Sequence, residues 1–475
     1  MIFNSFEFLW LFPAIFLLYY IIVRVKLLSK IAPKIGNYFL ILCSYSLYIK
    51  VEPTYALILL GVTAITYLGA LSFDKRKDER NRSKVSCIFF ILLALLPLII
   101  FKYYNFITSQ FNIVLSTGKL CGLNLVVPLG LSFYTFQAVG YMLDVYYKRI
   151  EAERNWWDYM LFVSFFPQIA SGPISKAKDL LPQIKRRRTF NEQQSIDGLR
   201  FLLWGMFMKV VMADRIGIYV DTILDNYQYQ SGLSLAVGGV LYSFQIYGDF
   251  AGYSYMALGV GKLLGFDLIN NFKRPYFAIS ITDFWHRWHI SLSTWLKDYV
   301  YIPLGGSRCS KFRSYINIFV TFLVSGIWHG ANWTFIVWGI IHGFAQIIEK
   351  AFKLPKSEAN LLIKTVRTII TFVIITLAWL VFRMPTLNAG FEIIGKLFIN
   401  HELTLATCPI SSKIYIIIAL IIVLIKDSVD EYFNKDNKLL TLQSTFLRWS
   451  LYLLLLTTIL LFGVLNSSQF IYVNF

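Results

Sequence analysis

Long apolar stretches recur along the whole chain, separated by short segments that hold most of its charges. A helix needs roughly 20 apolar residues to cross a bilayer, and several stretches reach that length, the first at 6–25. This first stretch lacks the features of a cleaved signal peptide, so we expect it to remain as a helix. Glycine and proline interrupt other stretches, and 127–132 and 301–306 are candidates for re-entrant turns. We predict an all-α polytopic membrane protein with roughly 10–12 spans in a single domain, 1–475.

The basic residues predict how the chain is oriented, because cytoplasmic loops of membrane proteins are enriched in Lys and Arg. Four segments of this chain are rich in them: 24–34, 74–84, 185–188 and 350–367. The segment 384–411 has few cations. We therefore expect the N-terminus outside, the basic segments and 426–438 in the cytoplasm, and both 384–411 and the C-terminal 470–475 outside.

Composition excludes several classes of protein. With 57% hydrophobic and 15% charged residues and a mean hydropathy of +0.58, the chain is too apolar for a soluble globular protein of its size. The net charge of +18 lies in short loops rather than in a basic stripe with interleaved aromatic residues, so we expect no nucleic acid as a partner. The five cysteines are scattered and lack the spacing of a metal or redox site.

Four of the five histidines lie between 286 and 342, in sequence that is otherwise apolar. An ionisable group within a membrane is costly, so such a group suggests a functional site. Read as one helix, 283–301 places tryptophans on one side and a polar row on another. That row consists of His286, His289, Ser293 and Lys297. We predict a single amphipathic helix here, at the floor of a protein-lined cavity or along the inner interface.

Two other interpretations of this segment compete with a functional one. An interfacial helix would place its tryptophans in an aromatic belt and leave its histidines merely solvated. His286 and His289 could form a metal-binding pair, but no third ligand of suitable type lies nearby and helical zinc pairs are more often four residues apart. We therefore predict no metal site.

His329 follows a second apolar segment, 315–328, and stands between Gly326 and Gly330. Glycines at these positions allow helices to approach closely. A neutral imidazole in a low-dielectric pocket is suited to take a proton from a hydroxyl group, which is the task of a general base in acyl transfer. The alternative is a structural histidine. We interpret His342 as structural and assign no role to His401.

Five segments together resemble bacterial membrane-bound O-acyltransferases, the MBOAT family, in the branch of alginate O-acetyltransferases. The longest is 283–306, and the others are 128–137, 165–174, 249–254 and 328–333. The resemblance covers nearly the whole chain. It implies a ring of transmembrane helices around a tunnel, with the acyl donor entering from the cytoplasm and the acceptor from the far side.

The resemblance also implies site residues. His329 corresponds to the family's essential membrane histidine and His289 to its second polar residue. We add as candidate substrate-binding or supporting residues Arg287, Trp285, Trp288, Ser293, Lys297, Asp298 and Asn332. This chain has Tyr255 where many relatives have Asp, and His286 where many have Arg, which affects the identity of the acceptor more than the type of reaction.

From these observations we expect an O-acetyltransferase of the bacterial cytoplasmic (inner) membrane. Its acyl donor would be acetyl-CoA, a substrate, and we expect no bound cofactor. Family members act with an extracytoplasmic partner of the SGNH-hydrolase type that acetylates a polysaccharide such as alginate, another glycan or peptidoglycan. No such domain is evident in this chain, so a separate partner is expected.

A different class of function remains open at this point. The chain could be a carrier or export subunit that conducts an acylated lipid or glycan without catalysing transfer, since broken helices and buried polar groups also mark transporters. The sequence shows no internal two-fold repeat and no paired carboxylates within apolar stretches. These features favour the enzyme.

Overall fold

The computed structural model describes residues 3–24, 32–75, 80–115, 121–169, 172–355, 357, 360–407 and 409–464. These residues form helices and no strands, which confirms the predicted all-α class. The C-terminal 470–475, predicted to face outside, lies outside the described residues, as do 25–31 and 76–79 of the first two basic segments.

Twenty α-helices follow one another along the described chain. They are α1 Phe6–Arg24, α2 Ala32–Val51, α3 Pro53–Lys75, α4 Arg80–Leu98, α5 Tyr104–Leu115, α6 Leu131–Tyr146, α7 Trp156–Ser164, α8 Phe166–Ile169, α9 Ala177–Lys185, α10 Glu192–Met206, α11 Asp214–Leu224, α12 Gly232–Leu263, α13 Ile281–Arg287, α14 Ile290–Leu296, α15 Lys311–His329, α16 Trp333–Ala351, α17 Leu361–Arg383, α18 Leu387–Ile399, α19 Ile410–Phe433 and α20 Thr445–Phe462. Short π-helical segments, Ile99–Tyr103, Phe207–Ala213 and Lys297–Tyr301, continue α4, α10 and α14.

Five described helical segments are long and apolar enough to cross a membrane. They are Phe6–Arg24, Pro53–Asp74, Lys84–Leu115, Leu361–Arg383 and Thr445–Phe462. Large apolar side chains on these segments, such as Trp10, Leu57 and Leu460, are exposed. So much exposed apolar surface would be unfavourable in water and is satisfied by lipid. The predicted membrane character is therefore confirmed, whereas the total of roughly 10–12 spans stays a prediction.

The described chain divides into two compact units, Met1–Leu199 with Ala257–Ile269 and Arg200–Met256 with Asn270–Phe475. The prediction of a single domain stays a prediction. In the first unit, two of the motif segments meet through their side chains. Gln168 Nε2 donates to Gln137 Oε1 at 3.0 Å, and Ser175 Oγ donates to Gln168 Oε1 at 2.8 Å. Amides buried away from water need such partners, so these hydrogen bonds fix how the two segments pair.

One residue of the third basic segment has a structural role in the first unit. Arg188 is buried and donates to the side chains of Tyr19 and Asn37, while Asn37 Nδ2 donates to Asp158 Oδ1 at 3.1 Å. Arg186 and Arg187 are exposed. The basic segment therefore combines a buried anchor with cations that solvent can reach.

Both segments predicted as candidate re-entrant turns, 127–132 and 301–306, contain turns. Gly130, just before α6, has a left-handed φ of 71°, and a Cβ there would lie 1.9 Å from the carbonyl oxygen of Ile169. Gly305 and Gly306 also have positive φ, and Asn317 Nδ2 donates to the Gly306 carbonyl oxygen at 3.0 Å. Only glycine fits such positions without strain. Whether the turns re-enter the membrane stays a prediction.

In the second unit, α15 and α16 pack closely as a helical hairpin because both have glycine at the contact. A Cβ at Gly326 would lie 2.4 Å from the Phe335 carbonyl oxygen, and one at Gly339 would lie 2.4 Å from the Phe322 carbonyl oxygen. The predicted close approach at Gly326 is thus confirmed. It places the end of α15 firmly beside α16.

The substitution Gly326→Ala tests this packing. We expect destabilisation of about 1–3 kcal/mol, since the added methyl group meets a backbone atom that cannot turn away. The measurement is the melting temperature of the detergent-solubilised protein. Gly61→Ala in α3 is the control, because a Cβ there meets nothing within 4 Å; a melting temperature lowered equally in both variants would contradict the packing argument.

Candidate active site

Helix α13 begins at a fully capped N-terminus. Ser280 Oγ accepts a hydrogen bond from the Asp283 amide at 3.0 Å. The Glu349 carboxylate accepts from the Ile281 amide, from the Thr282 amide at 2.9 Å, and from Thr282 Oγ1 at 2.8 Å. Glu349 is near the end of α16, so it satisfies the first N–H groups of α13 and fixes that helix to α16.

The predicted single helix over 283–301 is wrong, because the chain breaks at Trp288 and His289. Helix α13 ends at Arg287 and α14 starts at Ile290. Trp288 is extended, with φ −107° and ψ 129°, and His289 is left-handed, with φ 44° and ψ 53°. The predicted polar row is therefore divided: His286 and Lys297 are exposed, whereas His289 is buried.

The break turns the imidazole of His289 into an aromatic environment. Its side chain is completely buried. The ring lies 4.7 Å from that of Phe250 and 5.8 Å from that of Trp328, between centroids, with edge-to-face geometry in both cases. Edge-to-face contacts are favourable arrangements for rings of this kind.

His329 is the last residue of α15 and is also buried, with 3% of its surface exposed. Its ring contacts Trp328 at 5.0 Å, Trp338 at 4.9 Å and Phe382 at 5.5 Å, again between centroids. These neighbours come from α15, α16 and α17. Three helices thus enclose this imidazole with apolar surface.

The two histidines meet at Trp328. Because His289 contacts the indole of Trp328 and His329 follows it directly in the chain, both imidazoles belong to one aromatic cluster in the second unit. The sequence predicted both residues as catalytic, and in the structure both contact the same indole. Their catalytic roles stay predictions.

His342, interpreted as structural, has a structural contact. Trp285 Nε1 donates to His342 Nδ1 at 3.4 Å, and the ring packs against Trp338 at 4.8 Å. Trp338 therefore lies between His329 and His342. On α16 it precedes His342 by one helical turn. Trp285, predicted as a supporting residue, contacts His342 rather than His289 or His329.

Arg287 lies in a cluster of charges that includes partners distant in sequence. Its guanidinium binds Asp283 at 2.9 Å and Glu431 at 2.9 Å, and Glu431 also binds Arg274 at 2.7 Å. Burial alone would raise the pKa of Glu431, but the hydrogen bonds and charges of Arg274 and Arg287 outweigh it and hold this pKa below its ordinary value. Sequence reasoning missed Arg274 and Glu431. The only feature of the sequence that could have indicated these two residues is that they are charged and lie next to apolar segments.

The other predicted supporting residues have different positions. Trp288 is buried against Trp379, with ring centroids 5.1 Å apart. Ser293 Oγ donates to the Trp288 carbonyl oxygen at 3.3 Å. Asn332 caps α16, its Oδ1 accepting from the Thr334 amide at 3.1 Å. Ser293 and Asn332 therefore stabilise the local backbone conformation through these hydrogen bonds.

Lys297 and Asp298 start the π-helical segment that follows α14. Lys297 is exposed and Asp298 half-buried. The Lys297 carbonyl oxygen accepts from the Ile302 amide at 2.9 Å. Their predicted contact with substrate stays a prediction.

Tyr255, which stands where many relatives have Asp, is buried in the second unit, where it stacks on Phe201.

The fold and the site together define a polytopic membrane protein with a buried cluster of histidine and tryptophan side chains. The model of the MBOAT, membrane-bound O-acyltransferase family, matches residues 147–388, which include both His289 and His329. The chain belongs to the membrane-bound O-acyltransferase family and is an O-acyltransferase.

The chain is similar to proteins with three related activities. The chain is 35% identical over 402 residues to a probable alginate O-acetylase of Pseudomonas aeruginosa, covering 84% of this chain and 75% of the relative. It is 33% identical over 422 residues to a peptidoglycan O-acetyltransferase of Helicobacter pylori, covering 83% and 79%. A teichoic acid D-alanyltransferase of Streptococcus thermophilus is 31% identical over 245 residues, covering 49% and 59%.

The left-handed backbone at residue 289 predicts how substitutions there affect folding. Both His289→Gly and His289→Val remove the buried ring and should lower the melting temperature, but His289→Gly should lower it less, because glycine adopts this conformation freely and a β-branched residue is strongly disfavoured at φ 44°. We expect the two variants to differ by about 1–3 kcal/mol. The measurement is thermal unfolding in detergent, and equal melting temperatures would contradict the observed turn.

The substitution Glu431→Gln tests the charge cluster. It removes one of the two carboxylates that bind the buried Arg274 and leaves Asp436, at 2.8 Å, as the other, so we expect destabilisation of about 2 kcal/mol at neutral pH. Because the pKa of Glu431 is lowered, its contribution is complete above its ordinary value of 4.5 and is lost as the pH falls through the folded-state value.

The difference in melting temperature between wild type and Glu431→Gln should therefore shrink as the pH falls below about 4.5. Glu7→Gln is the control, since the pair of Glu7 with Lys50 is largely exposed and contributes little. A difference that grows on acidification would refute this account of the cluster.

Proposed function

We propose that this O-acyltransferase moves an acetyl group from cytoplasmic acetyl-CoA across the membrane for the O-acetylation of an extracytoplasmic polysaccharide. The observation that carries the proposal is the meeting of His289 and His329 at Trp328 in a buried aromatic cluster. The named relatives support acetyl as the acyl group, since two of them are an alginate O-acetylase and a peptidoglycan O-acetyltransferase.

His329 is the general base in this proposal. Its imidazole accepts the proton of an acceptor hydroxyl group while the hydroxyl oxygen attacks the thioester carbonyl carbon. A C–O bond forms, the C–S bond breaks, and the proton passes to the leaving thiolate, which releases CoA. His289 orients the substrate or stabilises the charge that develops on the carbonyl oxygen. The surrounding aromatic side chains keep water from competing as the acceptor.

The proposal also gives roles to the exposed basic residues and to a separate partner protein. Exposed cations of the basic segments, such as Arg186 and Arg187, attract the phosphates of acetyl-CoA to the cytoplasmic side. A separate extracytoplasmic partner of the SGNH type places the acetyl group on the glycan, so a hydroxyl group of that partner is a possible immediate acceptor. The chain lies in the bacterial cytoplasmic membrane with both termini outside.

His329→Ala should abolish most acetyl transfer, with a loss of about 10²–10⁴-fold, because the base is removed while the surrounding helices remain. The assay uses inverted membrane vesicles that contain the protein, its native partner and the glycan, with radiolabelled acetyl-CoA supplied to the cytoplasmic face. The measurements are release of CoA thiol and alkali-labile label on the extracytoplasmic side.

His401→Ala is the matched control, since this histidine is exposed and lies outside the aromatic cluster; it should retain full activity. Unchanged transfer in His329→Ala vesicles, with equal amounts of protein in the membrane, would contradict the proposed base. Label that still crosses the membrane without thioester cleavage by this chain would favour a carrier instead.

A further inference from the structure

His289 is held in a backbone conformation that is uncommon for residues other than glycine. Its φ of 44° and ψ of 53° place it in the left-handed region, which non-glycine residues seldom occupy. Strain of this kind persists only where surrounding contacts compensate it, and it is common at functional sites. The contacts that compensate it come from a segment about twenty residues earlier in the chain, 271–273.

Two backbone hydrogen bonds place this segment across the break between α13 and α14. The Lys273 amide donates to the Arg287 carbonyl oxygen at 2.9 Å, and the Ile290 amide donates to the Asn271 carbonyl oxygen at 3.0 Å. They lie on either side of Trp288 and His289. The ends of the turn are thus tied to 271–273, which prevents α13 from continuing into α14.

The residue between the two hydrogen bonds adds packing. Phe272 is fully buried, and its ring lies 5.0 Å from that of Trp288 and 5.0 Å from that of Phe250, between centroids. Phe250 in turn contacts the imidazole of His289. The aromatic neighbours of His289 are therefore positioned by the same segment that fixes its backbone.

The side chain of Asn271 makes the third contact. Asn271 is fully buried, and its Oδ1 accepts from the Ser291 amide at 3.1 Å. The first N–H groups of a helix need acceptors from outside, and Asn is among the residues that supply them best. At α14 the position just before the helix is occupied by His289, and Asn271 supplies an acceptor from elsewhere in the chain.

We infer that Asn271 is a positioning residue for the transfer reaction, acting through His289. Its backbone and side-chain oxygens hold the amides on both residues that follow His289, which keeps the imidazole directed toward Trp328. This inference rests on the proposed role of His289. Nothing in it requires Asn271 to touch either substrate.

The test compares Asn271→Leu with Asn271→Asp. Leucine is similar in size but removes the acceptor of the Ser291 amide, so the turn relaxes and kcat for acetyl transfer should fall about 100-fold, the effect of a small misplacement of a reacting group, with KM for acetyl-CoA unchanged. Aspartate retains an acceptor oxygen at the same position and should be much more active than leucine.

Hydrogen exchange gives a readout that does not depend on activity. In Asn271→Leu the amides of Ile290 and Ser291 should exchange faster, whereas those in the middle of α15 should not change. Ser234→Ala is the matched control: Ser234 Oγ also accepts from a distant amide, that of Ala406 at 2.9 Å, but at a site without contact to the cluster. It should keep full kcat.

A double-mutant cycle separates the possible outcomes. If Asn271 acts through His289, then Asn271→Leu should have no further effect in a His289→Ala background. Additive losses on the residual activity of His289→Ala, or unchanged kcat in Asn271→Leu while His289→Ala retains only that residual activity, would overturn the inference alone. Wild-type activity in His289→Ala would instead refute the proposed role of His289, whatever Asn271 does.

Discussion

The structure around the site depends on a single backbone turn. Because His289 leaves the helical conformation, α13 ends at Arg287 and α14 starts in a new direction at Ile290. A continuous helix would have presented His286 and His289 on one face. The turn instead buries one imidazole beside Trp328 and leaves the other exposed. The contacts of the His289 imidazole with Phe250 and Trp328 follow from that separation.

Polar groups in the second unit are distributed according to the free energy of removing them from water. Imidazole and indole side chains occupy the buried cluster and are packed edge to face. Full charges occur where opposite charges accompany them, as with Arg274 and Glu431. The proposed acyl transfer, which must exclude water, is compatible with the first environment and not with the second.

The sequence was sufficient for the class of protein but not for the geometry of the candidate site. Apolar stretches and basic loops predicted a helical membrane protein, and rare histidines in apolar sequence pointed to His289 and His329. The continuous helix over 283–301 was wrong because the hydrophobic period persists through the break and no glycine or proline marks it. The contacts that cause the break come from 271–273. The ion pair of Arg287 with Glu431 joins residues more than 140 positions apart. No local sequence pattern could reveal either interaction. Asn332, a candidate substrate-binding or supporting residue, caps α16, and its role toward substrate stays a prediction.

The central claim is that His289 and His329 act on one substrate beside Trp328. The most direct measurement is a cryo-electron microscopy map of the protein with a thioether analogue of acetyl-CoA that cannot transfer its acetyl group. We predict density for the acetyl end within hydrogen-bond reach of the His329 imidazole and adjacent to Trp328. Density that ends in a different part of the protein, with Trp328 and both imidazoles packed as they are without the analogue, would contradict the account.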